Sequence, residues 1–122
     1  MKFNSQICTS REQSERLIAL GLKKETADMV WTHAYYGTWV ATAKENPLYE
    51  ESDSVPAWSL HRLVSTLINN GIIITFIDNI VIIERYKAFQ KSYEFWDDVY
   101  DNIIDAIEWL IKKGYFNKEY LV

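Results

Sequence analysis

The most regular hydrophobic pattern lies near the end of the sequence and predicts the longest helix, from about Asp98 to Lys113. Apolar side chains recur there at the three- and four-residue spacing of one helical face: Val99, Ile103, Ile104, Ile107, Leu110 and Ile111. Aspartates stand at the predicted start and lysines at the predicted end, as the helix dipole favours. Gly114 follows, and we expect it to end the helix in a left-handed conformation.

A shorter helical pattern is predicted from Thr9 to Gly21. Thr9 and Glu12 have the spacing of a capping box, in which the side chain of each residue accepts a hydrogen bond from the backbone N–H of the other. Gly21 is placed to end the helix, because glycine adopts the left-handed conformation without steric cost. A second, short helix from about Lys24 to Val30 is predicted to follow.

The segment from Ser54 to Leu63, which contains Pro56, separates an extended region from the next helix, and we call it the hinge. Proline fixes its own backbone and disfavours a helical conformation at the preceding residue. Ser59 then offers a hydroxyl to cap a helix from Leu60 to about Ile68. Trp58, before the cap, and Leu63, at the fourth helical position, have the spacing of a hydrophobic staple.

Isoleucine-rich runs predict strands from Ile72 to Ile77 and from Ile80 to Tyr86. The two intervening residues, Asp78-Asn79, suit a tight hairpin turn. Because successive positions are apolar, we expect at least the first strand to be covered on both faces or paired centrally. A further strand is predicted around Phe89 to Trp96, where apolar and polar residues alternate.

The stretch from Trp31 to Thr42 is compatible with both a strand and a helix. Its β-branched and aromatic content favours a strand. Gly37 also favours the strand, because glycine costs a helix about 1 kcal/mol relative to alanine. Asn46 to Val55, rich in acids and containing Pro47, is expected to be a loop.

Together these elements predict an α+β fold in a single domain spanning residues 1–122. We expect two N-terminal helices, a hinge helix and a long C-terminal helix packed with one small sheet. The sheet should be largely antiparallel and contain about three to four strands.

Composition narrows the function classes. A hydrophobic fraction of 48% and an aromatic fraction of 15% argue against disorder. The net charge of −4 opposes binding to nucleic acids or anionic membranes. It is also weak for an acidic decoy that imitates DNA, a function that remains a third alternative. The single cysteine, the polar N-terminus and the shortness of every apolar run predict a cytoplasmic protein without a membrane segment.

Few residues suggest catalysis. His33 and His61 lack partners at metal-ligand spacing, Cys8 lies in no nucleophile motif, and no glycine-rich phosphate loop is present. Asp101 and Asp105 would share one helix face and could bind a cation or act as an acid/base pair. We favour their assignment to the solvated, dipole-stabilised start of a helix. We therefore predict no catalytic residue, no metal site and no cofactor.

The aromatic residues are the only group in excess. Most are needed for the core, but some could line a protein interface or a ligand groove. The predicted interaction patch is Trp31, Tyr35, Tyr36, Trp39 and Trp58. We therefore expect a non-enzymatic module that binds another protein of unknown identity, with homodimerisation through the Trp31–Trp39 edge or the isoleucine-rich hairpin as a further possibility. The alternative is a small-molecule-binding or enzymatic domain with an aromatic pocket and an acidic helix start.

Several short motifs resemble those of a family of short uncharacterised proteins from gut Bacteroidales bacteria and their phages or prophages. The matching segments are Ile7–Ser10, Glu12–Ser14, Leu17–Leu22, Thr26–Met29 with Trp31, Val55–Leu60 with its Pro-Ala-Trp-Ser-Leu motif, Asp101-Asn102, Asp105-Ala106, Trp109-Leu110 and Gly114-Tyr115. They lie towards both ends of the chain and around Pro56. This sequence departs from the family at Ile68-Asn69-Asn70, where related chains often have a proline, and in the more apolar hairpin.

The resemblance implies a phage or mobile-element origin and an α+β fold. It implies no activity and no site residues. On this basis we expect a phage- or prophage-type accessory protein.

Overall fold

A computed structural model describes residues 6–33, 37–44, 54–78, 80–94 and 98–122. It confirms the α+β class, with three α-helices and two antiparallel three-stranded sheets. The elements in order are α1 (Arg11–Ala19), a 3-10 turn (Lys24–Thr26), β1 (Met29–His33), β2 (Trp39–Ala43), β3 (Val55–Ala57), α2 (Leu60–Asn69), β4 (Ile73–Ile77), β5 (Ile80–Arg85), β6 (Phe89–Glu94), α3 (Val99–Lys113) and a second 3-10 turn (Lys118–Tyr120).

The strands are divided between two sheets rather than collected in one. The first sheet has the order β2-β1-β3, and the second has the order β4-β5-β6. The division follows from the hinge, because β3 leads into α2 instead of into the isoleucine-rich hairpin. The helix α1 packs against β3 and α3, whereas α3 packs against β5 and β6.

The first sheet resolves the ambiguous stretch in favour of strand. Within it, residues 31–33 belong to β1 and residues 39–42 to β2, and the two strands pair antiparallel with His33 opposite Trp39. The predicted short helix from Lys24 to Val30 is wrong beyond its first turn, because Val30 pairs with both neighbouring strands and lies in the sheet. The predicted loop from Asn46 lies outside the described residues up to position 53, and Val55 belongs to β3.

The second sheet places β5 in the centre and β4 at an edge. Val81 and Ile83 on β5 are buried, whereas Ile73 and Ile77 on β4 are largely exposed. The prediction that the first isoleucine run would be covered or central is therefore wrong. The reason is that β6 pairs with the far side of β5, so the second run takes the central position.

The helix ends follow local rules with one shift in register. The capping box of α1 uses Ser10 and Gln13 rather than Thr9 and Glu12: the Ser10 hydroxyl accepts from the Gln13 amide, and the Gln13 side chain accepts from the Ser10 amide. Thr9 bonds to the hinge instead. At the end of α3, Gly114 has φ 76° and is left-handed, as predicted.

The hinge forms the centre of the core. Trp58 and Leu63 are both fully buried, as the predicted staple requires. The Trp58 indole N–H donates to the Thr26 hydroxyl at 2.9 Å. Ser59 caps α2 by accepting from the Arg62 amide, as predicted. The C-terminal segment also joins the core through buried Phe116.

Replacing Ser59 by alanine should lower the free energy of unfolding by about 1–2 kcal/mol. The substitution removes the helix cap and the hydrogen bond of 2.5 Å from the Ser59 hydroxyl to the Asp28 carboxylate. Urea denaturation followed by tryptophan fluorescence measures the change. Ser92→Ala, at an exposed position of β6, is the matched control and should change stability by less than about 0.5 kcal/mol. Equal effects of the two substitutions would contradict the capping role.

Candidate functional site

The acidic start of α3 is engaged by α1. The amide nitrogen of the Gln13 side chain donates to both Asp98 and Asp101, at 2.9 Å each. The Asp98 carboxylate also accepts from the Tyr100 amide and so caps the helix. One turn further along, Arg16 donates to Asp105 at 2.5 Å. These contacts hold the two helices together and support the structural assignment of the acids.

Arg16 also forms an ion pair with Glu108, and the two side chains are 2.7 Å apart. No sequence pattern pointed to Glu108. Hydrogen bonds from Arg16, which has the larger effect, and from Lys112 lower the pKa of Glu108 below its ordinary value. The ionised form of Glu108 therefore stabilises the folded state. Both partners are about a third exposed, so the contribution is that of a surface pair rather than a buried one.

Glu108→Gln should reduce the free energy of unfolding by about 0.5 kcal/mol at pH 7. Because the folded-state pKa is lowered, the stabilisation is present above the unfolded pKa and is lost as pH falls through the folded one. The stabilities of the two proteins should therefore converge as the pH falls below about 4.3, the ordinary pKa of a glutamate. Urea titrations across this pH range test the prediction, with exposed Glu15→Gln as control. A difference that persists unchanged in acid would assign the effect to packing.

The potential nucleophile and the two imidazoles show no catalytic arrangement. Cys8 is a free, buried cysteine, and burial, followed by the Asp28 charge, raises its pKa to about 11. His33 and His61 are both exposed. Among the described residues, no group of three or more His, Cys, Asp and Glu side chains could hold a metal ion. Likewise, none of the described helices is long and apolar enough to cross a membrane.

The raised pKa predicts an inert thiol. At pH 8 only about one Cys8 side chain in a thousand would be ionised, and burial would restrict access further. In the folded protein, Cys8 should react with Ellman's reagent only as fast as the protein unfolds. In about 6 M guanidinium chloride, well above a typical unfolding midpoint, it should react within seconds. Rapid labelling of the folded protein would contradict this environment.

The predicted aromatic patch is only partly a surface. Trp58 is fully buried and cannot contribute to an exposed patch, because its indole fills the core beneath the hinge. Tyr35 and Tyr36 lie outside the described residues. Trp31 is half-buried, and its indole N–H donates to the Thr9 carbonyl at 2.8 Å. Trp39 is also half-buried, and binding through it and Trp31 stays a prediction.

The Trp39 ring has two polar neighbours. The Arg11 guanidinium lies 4.6 Å from the ring centroid, and the His33 ring lies 3.9 Å away. Beside it on β2, Val40 is 40% exposed. The apolar area that Trp39 offers to a partner is limited, because the Arg11 and His33 side chains lie close to its indole.

A second aromatic cluster covers the inner side of the second sheet. Phe89 contacts Trp109 and Tyr115, with ring centroids 5.0 and 4.8 Å apart. The Lys91 ammonium lies 4.8 Å from the centroid of Trp109. All three rings pack against the core cluster. No pattern in the sequence indicates that Trp109 packs against Phe89 of β6.

An open groove of about 620 Å³ lies beside the first 3-10 turn. It is lined by Lys23, Glu25, Thr26, Arg62, Glu119, Tyr120 and Val122. The Arg62 side chain is already engaged, since its Nε donates to the Thr26 carbonyl at 2.6 Å. The groove contains neither the tryptophans of the predicted patch nor the acids of α3. It therefore does not combine the two features that the small-molecule alternative requires.

Among the described residues, four of the eight large apolar side chains that are exposed lie on β4 or at the end of α2. Four large apolar residues there are exposed by 44–56%: Ile68, Ile73, Phe76 and Ile77. Ile68 belongs to the last turn of α2, which packs against β4 and is joined to it by a tight turn. We call these four residues together with the free edge of the strand the β4 edge surface. Exposed apolar residues grouped along an edge strand are typical of sites that pair with another strand.

The backbone of β4 has hydrogen-bonding capacity at its free edge. Among the described residues, β5 is the only strand that pairs with β4. In a hairpin with a two-residue connection, the closing pair, here Ile77 and Ile80, is hydrogen-bonded, and bonded pairs alternate from there. The N–H and C=O groups of Ile74 and Phe76 consequently point away from β5 and towards the free edge.

Comparisons of this chain with protein-family models, curated proteins and solved structures find no match.

Proposed function

We propose that this protein is a non-enzymatic protein-binding module, of the phage- or prophage-type accessory class that its sequence motifs resemble. The observation that carries the proposal is the β4 edge surface. It combines exposed apolar side chains with outward-facing backbone groups on one strand. Proteins with such an edge commonly bind a partner by adding its strand to the sheet.

The proposed binding mode is the addition of an extended segment along β4. Backbone hydrogen bonds at Ile74 and Phe76 would supply part of the affinity, and the exposed side chains would supply apolar contacts. Soluble proteins usually protect such edges with charged residues or proline. The five residues of β4 include neither, so nothing in the strand opposes pairing.

The remaining chemistry supports binding rather than catalysis. The acids of α3 hold Gln13 and Arg16, and the Cys8 thiol is buried with a raised pKa. The single cysteine allows no disulfide within the chain, which supports the cytoplasmic location that we propose.

Phe76→Lys should abolish capture of the partner. A charge at this position places an ammonium beside the outward N–H and C=O groups, as protected edge strands do. The measurement is an affinity pull-down from a lysate of a gut Bacteroidales bacterium, quantified by mass spectrometry. Gln90→Lys, which adds the same charge at an exposed site on β6, is the matched control and should retain the partner.

Two results would overturn the proposed function. One is the absence of any stoichiometric partner, including a second copy of the chain, in repeated experiments. The other is turnover of a substrate in a broad activity screen that Phe76→Lys leaves unchanged.

A further inference from the structure

We propose that the segment added to β4 is the β4 strand of a second copy, so that the protein forms a two-fold symmetric dimer with a continuous six-stranded sheet. This inference rests on the proposed function, because it names the occupant of the same edge. The two-fold axis would pass beside Thr75, the central residue of the strand. The strand order would then be β6-β5-β4-β4-β5-β6.

The backbone of β4 is complementary to itself about Thr75. The outward-facing residues, Ile74 and Phe76, lie at equal distances on either side of it. Antiparallel pairing about this centre places Ile74 opposite Phe76 of the second copy as a hydrogen-bonded pair. Two such pairs use every outward N–H and C=O group of the two strands. No other centre within the strand leaves all of these groups paired.

The side chains on the outer face of the sheet match in the same register. Ile73, Thr75 and Ile77 share this face, since β-strand residues alternate between the two faces. In the dimer, Ile73 lies opposite Ile77 of the second copy, and Thr75 lies opposite Thr75. Cross-strand pairs of β-branched residues are favourable contacts in antiparallel sheets.

On the inner face, Phe76 and Ile68 are exposed near opposite ends of β4, and the dimer accounts for the exposure of both. Phe76 shares the inner face with buried Val81 but lies near the hairpin end. Ile68 lies near the start of β4, because Ile72 donates its amide hydrogen to the Leu67 carbonyl in the turn after α2. The two-fold operation brings the hairpin end of one strand to the start of the other. Phe76 of each copy is thereby directed to Ile74 and the α2 end of its partner.

Charge distribution favours a second copy despite the net charge of −4 per chain. The strand itself contains no ionisable residue, so pairing it with itself brings no like charges together. Asp78, directly after the strand, would lie opposite position 72 of the second copy, which is Ile72. On the outer face, Glu84 and Glu94 lie on β5 and β6 and are separated from the two-fold axis by β4.

Paired charge variants test the register. Ile73→Lys combined with Ile77→Lys places lysine opposite lysine twice across the interface and should raise the dimer Kd by on the order of 100-fold. Ile73→Lys combined with Ile77→Glu places lysine opposite glutamate and should keep the Kd within roughly tenfold of the wild-type value. Both positions are largely exposed, so the fold should tolerate the substitutions, which circular dichroism verifies. Sedimentation velocity, from about 1 to 500 μM chain, measures the association.

A cysteine cross-link tests the geometry independently. At a non-hydrogen-bonded antiparallel pair the Cα atoms are about 4.5 Å apart, within the range that a disulfide requires. Thr75→Cys should therefore form a covalent dimer under mild oxidation. Ser92→Cys, which lies on the same face in the same cross-strand row but two strands away, should not. The native Cys8 is buried and should not contribute.

The outcomes separate this inference from the proposed function. A wild-type dimer that is weakened by the lysine pair, rescued by the lysine–glutamate pair and cross-linked through Thr75→Cys supports the inference. The inference is overturned if the wild-type chain is a monomer at about 500 μM, the upper end of the concentration series. Capture of another protein by the same edge would then leave the proposed function standing. A dimer without rescue or cross-link, as expected for two outer faces stacked on each other, overturns the edge geometry. Loss of both self-association and partner capture would remove both proposals.

Discussion

Burial of the Trp58 indole is the contact on which the rest of the structure depends. The backbone of Trp58 exchanges hydrogen bonds with Thr9, at 2.9 Å from the Thr9 amide and 3.1 Å to the Thr9 hydroxyl. Its indole N–H reaches Thr26. A single residue thus connects the segment before α1, the first 3-10 turn and the start of α2. A fully buried tryptophan whose polar groups are all satisfied gains its burial energy without leaving an unpaired donor.

The polar residues that most resembled catalytic groups are used to assemble the helices. Gln13 on α1 donates hydrogen bonds to Asp98 and Asp101, and the positively charged Arg16 pairs with Asp105 and Glu108 further along α3. The same acids favour the N-terminal end of the helix dipole. An acidic helix start with these contacts stabilises the fold and offers no free pair for acid/base chemistry. The edge of the second sheet, rather than this group of acids, carries the exposed features of an interaction site.

The second sheet has two unlike edges. Its β6 side carries polar residues on the outer face, whereas β4 carries isoleucines and no charge. An exposed apolar edge is a liability for a monomer, because it can pair with other chains and aggregate. A self-complementary register converts that liability into a defined association, since it satisfies the free backbone groups in one closed pair of strands. The exposed residues on α2 and on both faces of β4 then belong to one interface.

Local sequence rules were sufficient for the helix ends and for most of the strands. The Ser59 cap and the Gly114 helix end depend on residues close in sequence, so their spacing predicts them. The choice between Thr9 and Ser10 as the cap of α1 was decided by tertiary structure, because Thr9 is needed by the distant Trp58. The exposure of β4 was decided in the same way. Two runs rich in isoleucine have similar local preferences, and only the pairing of β6 with β5 determines which run is buried and which forms the edge.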